Sequence, residues 1–210
     1  MKLVDITIPI HTAMTVYRGN PLVRIRPAMT LRKDHVNVSE LCLGSHTGTH
    51  VDAPSHFIKG GKGIDRVDLQ RFIGPAWVAD LRRVRGGIGA ADLDRARIPR
   101  GSRRILLRTS NSRLWHPARR FQTDFVYLAA DGADWMVERG VVLVGIDYLS
   151  IEGYGVDGAP THHRLLGAGI PILEGLDLFN VRPGRWQMAA PPLRIVDGDA
   201  GLTRAVLWRS

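Results

Sequence analysis

Cysteine is almost absent from this sequence, in which Cys42 is the only one among 210 residues. A single thiol excludes an intrachain disulfide, and it also excludes a structural zinc site closed by several cysteines. A metal site in this chain would therefore be built from histidine, aspartate and glutamate. Ligand sets of that kind are typical of catalytic sites, because they leave room for water.

Long hydrophobic runs are missing as well. No stretch of eighteen apolar residues occurs, so we expect no segment to span a membrane. Residues 1–5 lack the apolar core of a signal peptide, and cytoplasmic location is therefore the expectation. There is no internal repeat, low-complexity tract or linker, and we predict one domain over residues 1–210.

Acidic residues are in the minority: 29 Lys and Arg are present with 20 Asp and Glu, giving a net charge of +9. Such an excess raises nucleic-acid binding as a hypothesis. The arginines are dispersed, for example at 82–83 and 103–104, without a recognition-helix, zinc-finger or aromatic RNA-platform pattern. We therefore expect no nucleic-acid partner. A basic surface that attracts anionic substrates remains an alternative explanation of the positive charge.

Nucleotide-binding and serine-nucleophile motifs are incomplete. Residues 87–91 resemble the start of a dinucleotide fingerprint but have Asp92 where its third glycine belongs. Residues 60–63 are glycine-rich but lack the Gly-x4-Gly-Lys-[Ser/Thr] pattern. We predict turns at both places. No Gly-x-Ser-x-Gly elbow surrounds residues 110–112, so no organic cofactor or serine nucleophile is indicated.

What the chain does contain is a dense cluster of histidines, at His46, His50 and His56, with Asp52 among them. Imidazole and carboxylate suit zinc, manganese and related divalent metals. The glycines, β-branched residues and proline here disfavour a helix and favour a loop that follows a strand. On an extended stretch, His50 and Asp52 would point to the same side. This density indicates a metal site rather than scattered polar residues.

The segment from His46 to Phe57 resembles the signature H-x-G-T-H-x-D-x-P-x-H-F of the metal-dependent cyclase-like hydrolases. That family includes bacterial kynurenine formamidase and isatin hydrolase. Further similarity is found at residues 5–7, 16–21, 72–76, 140–147, 162–163 and 172–176. The resemblance thus extends along nearly the whole chain. It implies a swivelling β/β/α domain with a central barrel-like mixed sheet.

The resemblance also implies a role for each site residue. His46, His50 and Asp52 would bind a first metal ion, and His162 would bind a second. Asp52 and Glu174 would bridge the two ions, and His56 would be the general acid/base. Zinc is the expected metal and manganese the second choice, because the ligand types permit either.

The implied reaction is hydrolysis of N-formyl-L-kynurenine to L-kynurenine and formate. Tyr17, expected to contact the substrate ring, stands where kynurenine formamidases have Trp, and Arg18 follows it where they have Pro. Another small cyclic amide, imide or lactone is therefore the alternative substrate. A non-catalytic metal- or nucleic-acid-binding module is more remote, because it would not need His56. The resemblance further implies a small-molecule substrate and a homo-oligomer, most simply a dimer.

Short runs rich in Val, Ile and Leu predict more strand than helix, and so a strand-rich α/β fold. Strands are predicted at residues 3–8, 22–26, 36–43, 76–80, 105–109, 141–146, 170–174, 193–196 and 205–208. Helices are predicted at residues 90–97 and 129–139, and a short one is predicted to begin at 162 and end at Gly167.

Overall fold

The chain is seen in a computed structural model that describes residues 2–116 and 120–209. Within these residues the strands are β1 Leu3–Asp5, β2 Arg24–Met29, β3 Val38–Cys42, β4 His50–Asp52, β5 Ile73–Asp80, β6 Gly87–Ile88, β7 Arg104–Arg108, β8 Tyr127–Leu128, β9 Leu143–Ile146, β10 Ile172–Glu174, β11 Gly184–Ala189, β12 Ala200–Leu202 and β13 Val206–Trp208. The helices are α1 Leu31–Asp34, α2 Ala90–Arg95, α3 Ala130–Glu138 and α4 Pro160–Gly167.

A mixed sheet organises the described residues. Its nine strands follow the order β1-β13-β11-β5-β7-β9-β10-β4-β12. The four central strands, β5, β7, β9 and β10, are parallel, and the connections between them contain α2, α3 and α4 in turn. Strand β4 pairs antiparallel with β10, which brings residues 50–52 beside residues 172–174. Two distant parts of the chain are thus neighbours in the sheet.

Both faces of this sheet are buried. Along β7, Ile105 and Leu107 belong to the apolar cluster that includes side chains of α2, α3 and α4. Leu106, between them, belongs to the cluster on the opposite face. Side chains alternate in this way along any strand. Each fully buried side chain of this size contributes roughly 1.5–3 kcal/mol to folding, so the parallel centre is a rigid support for what is attached to its edge.

The predicted strand-rich α/β character is confirmed, and the three predicted helices are present as α2, α3 and α4, whereas the short α1 was not predicted. α2 and α3 begin and end within two residues of their predicted limits. Gly140 follows α3 with φ of +66°, a left-handed conformation that glycine adopts at low cost, so it ends the helix as predicted. α4 begins at Pro160, two residues before the predicted start, because proline is well suited to the first helical turn.

One predicted strand is absent, and five strands of the structure were not predicted, namely β4, β6, β8, β11 and β12. Residues 193–196 form no strand, and Leu193 and Val196 are exposed, so their apolar composition was misleading. β11 was missed because its buried Trp186 and Met188 alternate with polar residues instead of forming an aliphatic run. β12 was missed as well. The turn predicted at residues 87–91 is instead β6, which pairs parallel with β8, followed directly by α2.

Among the described residues, no helix combines the length and apolar character that crossing a membrane requires.

Candidate functional site

Five residues singled out in the sequence meet where β4 pairs with β10, next to the edge strand β12. The distance from His46 Nδ1 to Asp52 Oδ1 is 2.9 Å, and that from His50 Nε2 to the same oxygen is 3.2 Å. His162 Nε2 lies 3.8 Å from Asp52 Oδ2 and 3.7 Å from Glu174 Oε1. His50 Nε2 lies 3.5 Å from Glu174 Oε2. Each carboxylate therefore presents one oxygen to His50 and the other to His162.

The sheet register explains this convergence. Glu174 is paired directly with His50 across the antiparallel β4–β10 ladder, and cross-strand partners project from the same face. Asp52, two residues beyond His50, points to that face as predicted. His162 is contributed by the first turn of α4. The rigid centre of the sheet thus fixes three of the five side chains.

A tight contact holds the loop that carries His46 against β10. Gly175, with φ of +68°, follows β10, and a Cβ atom at this position would lie 2.1 Å from the carbonyl oxygen of Gly48. Only glycine fits there. The hydroxyl of Thr49 donates a hydrogen bond of 2.6 Å to the carbonyl oxygen of Gly175 and accepts one from the backbone N–H of Ile8. The loop therefore has little freedom to move away from the site.

The cluster is buried and strongly charged. Burial disfavours charge on Asp52, but the adjacent imidazoles of His46 and His50 outweigh it and hold the pKa of this carboxyl well below its usual range. Burial likewise opposes protonation of His50, yet Asp52 and Glu174 raise its pKa to about 10. The same balance, with Glu152 as the main partner, raises the pKa of His162 to about 9. The buried carboxylates therefore stabilise a positive charge placed next to them.

The chemistry of this site fits divalent metal ions. Within the described residues, His50 Nε2 and both carboxylate oxygens of Asp52 are buried without a hydrogen-bond partner of good geometry. Unpaired buried polar atoms are costly, on the order of 1–3 kcal/mol each, and a bound cation would satisfy all three. Three sets of side chains lie close enough together to hold an ion: His46 with His50 and Asp52, His162 with Asp52 and Glu174, and the more exposed His46 with His56 and Asp199. The unpaired buried atoms belong to the first two sets.

His56 lies at the outer side of this cluster, in a 3₁₀ turn at Pro54–His56. Its ring centroid is 4.0 Å from that of His46 and 6.0 Å from that of His162. Burial lowers the pKa of His56, so the neutral imidazole is favoured near neutral pH. A cavity of about 280 Å³ opens beside the cluster. It is lined, among others, by Tyr17, His56, Phe57, Glu152, Val156 and Ala159.

Tyr17 forms part of the aromatic wall of that cavity. Its ring makes an edge contact with Phe121 at 5.0 Å and a tilted contact with Tyr154 at 6.0 Å. Burial raises the pKa of the Tyr17 hydroxyl, so the phenol stays neutral and can donate or accept a hydrogen bond. The structure thus brings Tyr17 to within the same pocket as His56.

Comparison with known proteins identifies the family of this chain. The Cyclase family matches residues 4–153. This chain belongs to the Cyclase family. The resemblance seen in the sequence is thereby confirmed.

Relatives are similar in sequence to this Cyclase-family chain over nearly its whole length. A kynurenine formamidase of Salinibacter ruber is 37% identical over 212 residues, which cover 99% of this chain and 97% of that protein. One from Sphingopyxis alaskensis is 34% identical over 207 residues, which cover 98% and 97%.

Solved structures confirm the fold class predicted for this Cyclase-family chain. The structure of a potential metal-dependent hydrolase with cyclase activity has a TM-score of 0.85 and 34% identity, and covers 98% of this chain and 96% of that one. Isatin hydrolase A from Labrenzia aggregata, bound to benzyl benzoate, has a TM-score of 0.84 over 98% of this chain and 93% of its own, at 21% identity. That second likeness shows the fold alone.

Two carboxylates beside the cluster were not singled out in the sequence of this Cyclase-family chain. Glu152 Oε2 lies 3.3 Å from His162 Nδ1, and Asp199 Oδ2 lies 3.2 Å from His46 Nε2. Neither belongs to the dense motif at residues 46–56, and no spacing links them to it. Only the folded chain brings them near the histidines.

Within the described residues, the other four histidines, at positions 11, 35, 116 and 163, belong to none of the sets of side chains that could hold an ion. His116 Nε2 is 2.7 Å from Asp177 Oδ2 on the surface, and His35 is exposed beside α1. The ring of His163 contacts Phe57 at 5.5 Å and is exposed. The choice of His162 over His163 therefore agrees with the geometry of α4.

Proposed function

We propose that this chain is a dinuclear-metal amidohydrolase that converts N-formyl-L-kynurenine to L-kynurenine and formate. The observation that carries the proposal is the buried group of unpaired ligand atoms next to His56 and an aromatic cavity. The full-length likeness to proteins named kynurenine formamidase supports the choice of substrate.

In this proposal His46, His50 and Asp52 would hold one ion, and His162 and Glu174, together with Asp52, would hold the other. In each of Asp52 and Glu174, one carboxylate oxygen faces His50 and the other faces His162, so both carboxylates would be shared between the two ions. Zinc is the proposed metal, with manganese second. When bound, such ions polarise a carbonyl group and lower the pKa of water towards neutrality.

The protein's own groups supply the remaining steps. The aromatic wall formed by Tyr17 and Phe57 would stack on the substrate ring and direct the formamide carbonyl towards the side chains that would hold the ions. Hydrolysis of the C–N bond leaves an aniline-like nitrogen, which departs badly without a proton. His56 would accept a proton from the attacking water and deliver it to that nitrogen, so the formate and the amine leave with their atoms balanced.

The alternative is the same chemistry on another small cyclic amide, imide or lactone. The observation that favours it is Tyr17, which has a smaller ring than tryptophan and is itself held by Phe121 and Tyr154. The loss of ring area should weaken binding of a kynurenine side chain by about 1 kcal/mol, which is within the range for aromatic pairs. That change is too small to exclude the substrate.

Substrate profiling tests the proposed function. We expect the metal-loaded enzyme to hydrolyse N-formyl-L-kynurenine with kcat/KM above about 10⁴ M⁻¹s⁻¹, the lower end of the usual enzyme range. Isatin and simple lactones should be poorer substrates, and a metal analysis of the same preparation identifies the ion. A value below about 10³ M⁻¹s⁻¹, with a better compound in the panel, would replace the formamidase proposal by the alternative.

We also propose a homodimer. Every residue of strands β2 and β3 is exposed, including Ile25 and Leu41, which line one side of an apolar groove on the body of the protein. A lone two-stranded hairpin is marginally stable in water, and a second copy would cover it. Cytoplasmic location and the absence of a nucleic-acid partner remain predictions from the sequence.

Light scattering tests the dimer. We expect a mass of about twice that of one chain at micromolar concentration, and we expect Leu41→Glu to lower it, because a charge in a buried apolar contact is costly. Leu69→Glu, a change at an equally exposed leucine away from the hairpin, is the control. A wild-type mass equal to that of a single chain would contradict the proposal.

A further inference from the structure

All three histidines of the proposed metal site have one ring nitrogen facing the carboxylates and the other held from outside. In His50 the outer atom is Nδ1, which lies 3.0 Å from the carbonyl oxygen of Gly48. A carbonyl oxygen can only accept, so Nδ1 carries a proton, and Nε2, which faces the carboxylates, is the nitrogen left to bind an ion. The outer partners of the other two histidines are carboxylates from elsewhere in the chain.

Glu152 is the outer partner of His162, and both side chains are buried. Its Oε2 accepts hydrogen bonds from the backbone N–H groups of Thr161, at 2.9 Å, and His162, at 3.2 Å. The same oxygen lies 3.3 Å from His162 Nδ1. Glu152 therefore fixes both the first turn of α4 and the ring that this turn carries, with Nε2 towards Asp52 and Glu174.

Asp199 is the outer partner of His46. Its Oδ2 lies 3.2 Å from His46 Nε2, and its Oδ1 accepts a hydrogen bond of 2.9 Å from the hydroxyl of Ser45. The Asp199 side chain is 51% exposed, whereas that of Glu152 is 8% exposed. Water therefore screens Asp199 more strongly and should weaken its influence.

We propose that Glu152, and to a smaller degree Asp199, are positioning residues that set the proton location and orientation of His162 and His46 for metal binding. Carboxylates that hold the outer nitrogen of a metal-bound histidine raise its basicity and fix its ring. The inference rests on the proposed metal ligands. It adds that metal affinity depends on two residues outside the ligand set and outside the sequence motif.

A purely structural role for Glu152 is the competing explanation, because the same oxygen caps the start of α4. The two roles differ in what they change. Loss of a cap lowers stability whether or not His162 is present. Loss of a positioning carboxylate lowers metal affinity only while His162 is there to be positioned.

The test is titration of the metal-stripped full-length chain with Co²⁺, followed by its d–d absorption spectrum. We expect Glu152→Ala to weaken binding of one of the two ions by about 10–100-fold and to alter the spectrum. Glu152→Gln should recover most of the affinity, because its amide oxygen can still accept from Nδ1. Asp134→Ala is the matched control: it removes a carboxylate that contacts α4 through Arg164, at 2.8 Å, and should leave Co²⁺ binding unchanged.

A double-mutant cycle with His162→Ala then separates the two roles. We expect Glu152→Ala to have no further effect on Co²⁺ binding in the His162→Ala background, although any loss of thermal stability persists. Equal Co²⁺ affinity in Glu152→Ala and the wild type, or equal losses in Glu152→Ala and Glu152→Gln, would overturn the inference alone. A wild-type chain that binds no Co²⁺ would overturn the proposed function as well.

Asp199 provides a second pair of variants that does not depend on the fold tolerating Glu152→Ala. We expect Asp199→Ala to weaken Co²⁺ binding by about three- to tenfold, less than a buried outer partner would, and Asp199→Asn to recover most of it. A contrary outcome would be a Glu152→Ala chain that fails to fold, with Co²⁺ affinity unchanged in both Glu152→Gln and Asp199→Ala. Glu152 would then act only as a structural cap of α4, and the inference would be wrong.

Discussion

Replacing His56 by alanine is expected to lower kcat/KM by about 10²–10⁴-fold, the usual worth of a positioned acid/base, while the metal content stays unchanged. His56 lines the cavity, and its ring centroid is 4.0 Å from that of His46. It lies outside the group of buried carboxylates. Its removal should therefore take away a proton carrier and leave the ligand atoms in place.

The leaving group gives this experiment a second readout. An aniline-like nitrogen needs a proton to depart, whereas a good oxygen leaving group needs it much less. The loss in His56→Ala should therefore be smaller for an activated ester or lactone than for a formanilide. His163→Ala, which removes an exposed imidazole that also contacts Phe57, is the control and should keep full activity.

A different result for His56 has a clear meaning. The side chains of His46, His56 and Asp199 come close enough together to hold an ion. If His56→Ala lost metal while keeping its fold, His56 would be a ligand and the acid/base role would be wrong.

Replacing Asp52 or Glu174 by alanine is expected to abolish both activity and full metal loading. Asp52 presents oxygens to both sides of the cluster, so Asp52→Ala should lose both ions, and Glu174→Ala at least one. Ions bound to the native state stabilise it, by about 2.7 kcal/mol at a concentration of 100 Kd. We therefore expect added zinc to raise Tm in the wild type but not in Asp52→Ala.

Asp147→Asn is a suitable control for this experiment. Asp147 is also a fully buried carboxylate, but it accepts hydrogen bonds from backbone N–H and hydroxyl groups of Thr109 and Ser112. Disturbing these bonds should cost roughly 1–3 kcal/mol in stability and leave metal content intact. Retention of two ions per chain by both Asp52→Ala and Glu174→Ala would refute the dinuclear proposal.

The sequence was most informative where the chemistry is local. His46, His50 and Asp52 lie within seven residues, and their spacing alone indicated a metal site. His162 and Glu174 could be named only through the family resemblance, because the sheet brings them to the motif and no local pattern does. The predicted single-domain organisation remains a prediction.

Glu152 and Asp199 show where sequence reasoning ends. Each of these carboxylates contacts one ring nitrogen of a histidine that is distant in the sequence. The contacts depend on where the fold places α4 and the segment before β12. The strands show the same difference between local patterns, which the sequence reveals, and placement by the fold, which it does not. β7 and β9 were predicted from aliphatic runs, but β11 has polar residues between its buried ones and owes its place to its neighbours in the sheet.

The pairing of β4 with β10 also has a consequence for the order in which this protein matures. In the unfolded chain only His46, His50 and Asp52 are near one another, and Glu174 reaches them when a long loop closes and the β4–β10 register is set. Closing such a loop is slow and entropically costly. Metal present during refolding would therefore first encounter an incomplete site, and the complete site would assemble only once β4 had paired with β10.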